Sequence, residues 1–95
     1  MPEGKRTVIY RAHAIKRMFE RRISEEAVHA VLSTGEVIES YPNDTPYPSK
    51  LVLGWTGNRP IHIVVAETNE TDIVITVYEP DPERWDHQFK HRRSQ

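Results

Sequence analysis

The sequence predicts an α+β domain in which two N-terminal helices are followed by a four-stranded antiparallel sheet. Three observations carry that expectation. Apolar residues recur at helical spacing between residues 10 and 34. The period changes to alternation after Gly35, and the alternating segments are joined by connections too short for the crossovers that parallel pairing needs.

The first helix is expected from about Tyr10 to Arg22. At about 100° per residue, Ala12, Ala14, Ile15, Met18 and Phe19 occupy one arc, while His13, Arg17 and Arg21, four apart, fall within one quarter of the circumference away from it. Ser24 then offers a new N-cap, with Glu25 and Glu26 at the positive end of a second helix running to Thr34. Ala27, Val28, Val31 and Leu32 form its apolar stripe, and Gly35 is expected to close it in the left-handed conformation.

Strands are expected at 37–41, 50–56, 60–67 and 72–79, separated by the proline-rich 42–48, by Gly57 and Asn58, and by 68–71. Alternation divides them into two faces. Leu51, Leu53, Trp55, Ile61, Ile63, Val65, Ile73, Ile75 and Val77 are read as the core face beneath the helices. The other face, with Val52, Gly54, Thr56, His62, Val64, Ala66, Val74, Thr76 and Tyr78, is shallow, with room for a ligand. Beyond Pro82 the chain reads as a tail or a last helical turn, pinned by Trp85 and Phe89.

A chain of 95 residues supports one domain, 1–95, with a core at 9–80 and flexible ends at 1–8 and 86–95. Charged residues at 28% and hydrophobic residues at 37% exclude a disordered or membrane class. No apolar run approaches the roughly 20 residues of a span, so no membrane partner is expected. The absence of cysteine and of a signal-peptide pattern points to a cytoplasmic location.

The net charge of −1 hides an asymmetry: residues 1–22 carry seven Lys or Arg against two Glu, and 84–95 carry four against one Asp. Should the ends meet, they make a positive patch suited to nucleic-acid phosphates. His13 with Arg17 and Arg21 joins a titratable base to two fixed cations, the combination phosphodiester chemistry uses. The same face is also compatible with a solvated basic helix whose arginines pair with Glu20, Glu25 or Glu26. Thr76 and Tyr78, two apart, present hydroxyls on one sheet face. If the helix buries its apolar arc on the sheet, however, His13 points away from them unless the helix lies along the sheet edge. Glu83, His87 and His91 have metal-ligand spacing only on a helix that nothing encloses, so no metal and no cofactor is expected.

The run His13 to Ser24, the segment Val31 to Ile38, and the strand Ile75 to Asp81 followed by Trp85 resemble the family catalogued as domain of unknown function 4258, over nearly all of Tyr10 to Trp85. That family is similar to the compact ribonuclease-toxin superfamily of RelE-like toxins, colicin nucleases and barnase. The resemblance implies a RelE-like toxin fold and a small metal-independent endoribonuclease, with RNA as partner and an antitoxin protein as a further one. It implies His13 as base, Arg17 and Arg21 as charge stabilisers, and Thr76 and Tyr78 as positioning groups. The alternative is a non-catalytic RNA- or protein-binding module.

Overall fold

A computed structural model describes residues 7–93. The basic residues Lys5 and Arg6, and the parts of the expected flexible ends at 1–6 and 94–95, lie outside the described residues. The chain runs β1 (Thr7–Tyr10), α1 (Ala12–Arg21), α2 (Glu25–Thr34), β2 (Glu36–Tyr41), β3 (Ser49–Thr56), β4 (Arg59–Glu67) and β5 (Thr71–Tyr78). The strands form one five-stranded sheet in the order β1-β5-β4-β3-β2.

This corrects the expected architecture. The sheet is mixed, because β1 precedes both helices and pairs in parallel with β5, Thr7 opposite Thr71 through Tyr10 opposite Val74. The remaining pairs, β2 with β3, β3 with β4 and β4 with β5, are antiparallel. The first strand escapes a periodicity reading because it is four residues long and leads straight into the helical pattern. Its residues Thr7, Val8, Ile9 and Tyr10 are nonetheless all β-branched or aromatic.

Both helices pack on one face of the sheet, where Ala14, Met18, Ile23, Val28 and Val31 join Val52, Ile61, Ile63, Val65, Val74 and Val77 in one buried cluster. The expected faces hold for β4 but not for β3. Val52 pairs with Ile63 and Gly54 with Ile61, so Leu51, Leu53 and Trp55 lie on the side away from the helices. On β5 the register shifts between Val64 and Val65, leaving Ile75 as the extra residue and turning Val74 rather than Ile73 to the helices. Alternation separates the two faces of each strand; only inter-strand register says which face is shared. Leu51 and Leu53 are still buried.

Helix ends follow local chemistry. Ser24 Oγ accepts from the Ala27 N–H at 3.0 Å, the N-cap its position requires. The left-handed turn expected at Gly35 falls instead at Arg22, with φ 56°, while Gly35 is extended at φ −74°. Gly35 is needed for close approach: a Cβ there would stand 2.5 Å from the Val31 carbonyl oxygen and 2.7 Å from that of Leu53. Among the described residues no helix is long and apolar enough to cross a membrane.

Candidate functional site

The outer edge of β5 is paired with β1 only as far as Val74. There the Arg11 N–H donates to the Val74 carbonyl at 3.0 Å, and the chain turns into α1. At its other end α1 is tied down by Arg59, whose guanidinium donates to the carbonyls of Arg21 at 2.8 Å and Arg22 at 3.3 Å, and to Glu79 at 3.2 Å. A ten-residue helix rises about 15 Å, comparable with the ~13 Å of the four β5 residues beyond Val74, and α1 packs against β5, running alongside the part that β1 leaves uncovered.

That placement brings the polar arc of the helix to the sheet edge. Ala14 and Met18 turn into the core, and the His13, Arg17, Arg21 arc, about 80° away round the helix, looks past β5. His13, Arg17, Arg21, Thr76 and Tyr78 all line one cleft of about 350 Å³, with Glu79, Asp81, Arg84, Trp85 and Arg92. The apolar arc does not close in the way expected, since Ile15 is 55% exposed and Phe19 87% exposed.

The second wall of the cleft is the C-terminal segment, which is a set of turns rather than a helix. Asp81 Oδ1 accepts from the Glu83 N–H at 2.8 Å, and its carbonyl accepts from the N–H groups of Arg84 at 2.9 Å and Trp85 at 3.0 Å. Asp86 Oδ1 accepts from the N–H groups of Gln88 and Lys90, both at 3.1 Å, and a bridge pairs Trp85 with Arg92. Glu83, His87 and His91 therefore share no helix face. Among the described residues no group of His, Cys, Asp or Glu side chains is placed to hold a metal ion. Arg92 lies 4.6 Å above the Trp85 ring and donates twice to the Glu39 carboxylate at 3.3 Å. Burial works against ionisation of that carboxylate, but hydrogen bonds from Tyr41 and Arg92 outweigh it and hold Glu39 below its usual range.

Beneath this wall His62 is fully buried. Its Nε2 is 2.8 Å from the Phe89 carbonyl and its Nδ1 is 3.1 Å from the Tyr78 hydroxyl. A carbonyl only accepts, so Nε2 carries the hydrogen, Nδ1 is the acceptor, and Tyr78 donates to it. Burial pushes the His62 pKa down, partly offset by the Phe89 carbonyl, so the neutral imidazole is the resident form. Burial also raises the pKa of Tyr78. Trp85 packs edge-on against His62 with centroids 4.5 Å apart, and Phe89 meets Trp55 at 5.9 Å.

The cationic groups differ in freedom. Arg17 is 3.4 Å from Glu20, an exposed i,i+3 pair of small worth, and Arg92 is held by Glu39. Arg21 and Arg84 make no ion pair with a described residue. Arg84 and Arg92 enter the sequence reading only collectively, as part of the basic C-terminal end, and Trp85 only as an anchor, because a basic tail carries no periodic signal that assigns a single residue to the site.

The family described as a domain of unknown function (DUF4258) matches residues 10–79, and the chain belongs to that family. No curated protein and no solved structure matches the chain. The match takes in His13, Arg17, Arg21, Thr76 and Tyr78 and stops short of the wall formed by Arg84, Trp85 and Arg92.

Proposed function

We propose that the protein is a small endoribonuclease, akin to the compact ribonuclease toxins, that holds RNA backbone in this cleft and cleaves it by attack of a ribose 2′-hydroxyl. The observation carrying this reading is the shared cleft: a histidine, two helix arginines and two strand hydroxyls line one concave site at the sheet edge. His13 takes the proton of the 2′-hydroxyl as the O2′–P bond forms. The P–O5′ bond breaks, leaving a cyclic phosphate on one fragment and a 5′-hydroxyl, protonated from solvent in the open cleft, on the other. Arg17 and Arg21 offset the charge that builds on the phosphoryl oxygens. Thr76 donates to the phosphate. Tyr78, its hydrogen already given to His62, meets the ligand as an acceptor; the one hydrogen of the attacking 2′-hydroxyl goes to His13, so the partner that suits Tyr78 is a hydroxyl of a neighbouring ribose rather than a phosphate oxygen.

The test is cleavage of a mixed RNA substrate by purified protein. His13→Ala is expected to lower the rate about 10²- to 10⁴-fold with RNA affinity retained. Activity should persist in excess chelator and disappear where the 2′-hydroxyl at the cut position is replaced. A second reading, RNA binding without cleavage, is favoured by one observation: His13 has no hydrogen-bonded partner among the described residues to fix its ring. Protein that binds RNA and cleaves none establishes that second reading.

A further inference from the structure

A second cavity, of about 420 Å³, adjoins the cleft, and His13 lines both. Its other walls are Arg11, the loop residues Asp44, Thr45, Pro46 and Tyr47, and Ala66 and Ile75 from β4 and β5. Ile75 is available there because it is the extra residue of the β5 irregularity. The loop is well tied. Pro42, Pro46 and Pro48 fix their own φ angles, the Asp44 N–H donates to the Tyr41 carbonyl at 3.2 Å, and Ser49 Oγ donates to Asp44 Oδ2 at 2.6 Å. Oδ1 of Asp44 makes no hydrogen bond with a described residue, and Tyr47 is 42% exposed at the rim.

We infer that this cavity is a nucleobase subsite, taking the base attached to the nucleotide whose phosphate lies in the cleft. The inference rests on the RNA reading of that cleft. A nucleobase presents a π-face, apolar flanks and N–H donors along one edge. The cavity answers each of these, with the Tyr47 ring for stacking, Pro46, Ala66 and Ile75 for apolar contact, and Asp44 Oδ1 as an acceptor. Arg11 stands at the same cavity to accompany the phosphate chain. Because His13 is common to both cavities, base and phosphate bind on either side of the group that does the chemistry.

The experiment measures binding of the full chain to two non-cleavable probes: a mixed-sequence 2′-fluoro hexanucleotide and an abasic chain with the same number of phosphates. Tyr47→Ala is expected to weaken the hexanucleotide about 5- to 100-fold, the loss of one stacked base, and to leave the abasic chain and the salt dependence unchanged. Tyr47→Phe should bind like the wild type. The exposure of Tyr47 makes the alanine variant tolerable to the fold, and an unchanged melting temperature checks this. Equal weakening of both probes, or weakening of neither while Arg17→Ala still weakens both, overturns the subsite and leaves the RNA reading standing. Wild-type protein that binds neither probe at any salt concentration overturns the RNA reading and the subsite together.

Discussion

His62 Nδ1 lies 3.1 Å from the hydroxyl of Tyr78, its cross-strand partner on β5. Through this one bond a fully buried imidazole links the floor of the cleft to the Phe89 carbonyl of the C-terminal wall. Tyr78→Phe removes the donor and leaves Nδ1 buried without a partner. The expected cost is about 1–3 kcal/mol, larger than the net worth of an ordinary hydrogen bond, read as a drop in chemical-denaturation midpoint. A loss under about 0.5 kcal/mol would show that Nδ1 finds another donor.

The same residue sets a pH dependence. Burial holds the folded pKa of His62 below its ordinary 6.5, so between those two values the unfolded chain binds the extra proton and the folded one does not. Stability is therefore full above about pH 6.5 and falls as the pH drops below it, with a slope of up to about 1.4 kcal/mol per pH unit for one proton. The other four histidines are exposed. Unfolding measured from pH 7 to pH 5 should show this slope, and His62→Gln, less stable overall, should flatten it.

Gly35 and Gly54 both sit against Val31, with different consequences. A Cβ on Gly35 meets backbone oxygens of Val31 and Leu53 at 2.5 and 2.7 Å, atoms that move only with α2 or β3. On Gly54 the three nearest atoms all belong to the Val31 side chain, Cγ2 at 2.7 Å, Cγ1 at 2.8 Å and Cβ at 3.0 Å, so the strain falls on one side chain rather than on two backbone segments. Gly35→Ala should thus cost more than Gly54→Ala, with about 1–3 kcal/mol for the milder of the two. Thermal melts of the pair check the order. Equal costs would mean that the α2–β3 junction yields as easily as a side chain.

The sequence reading and the structure agree where periodicity is long and local. The α2 cap at Ser24, the polar stripe of α1 and the antiparallel strands β2 to β5 are all legible from spacing. What failed depends on partners distant in sequence. The four residues of β1 are a strand only because β5 lies beside them, and Leu53 turns away from the helices because it pairs with His62. The site follows the same division. His13, Arg17 and Arg21 are visible at four-residue spacing, and Thr76 and Tyr78 at two. Their meeting required α1 to lie at the β5 edge, a consequence of how short β1 is.

Ile63 and Ile15 separate packed from unpacked apolar positions. Ile63 is fully buried on the helix side of β4, and Ile63→Ala should cost about 2–5 kcal/mol. Ile15 is more than half exposed, and Ile15→Ala should change stability by less than about 1 kcal/mol, although both residues stand at apolar positions of periodic elements. Denaturant midpoints of the two variants test this.

Arg84 tests whether the C-terminal wall, beyond the matched residues 10–79, takes part in binding. Its backbone is fixed on both sides, the N–H donating to the Asp81 carbonyl at 2.9 Å and the carbonyl accepting from Arg93 at 2.8 Å, while its side chain pairs with no described acid. Removing that side chain should leave the fold untouched. If it contacts one phosphate, Arg84→Ala should reduce the slope of log affinity against log salt by about 0.7 for single-stranded RNA, with the melting temperature unchanged. Arg92→Ala should differ, because it also releases Glu39 and uncovers Trp85, so its loss of affinity should come with a loss of stability. An Arg84→Ala protein whose affinity and salt slope equal those of the wild type would confine the RNA contacts to the helix side of the cleft.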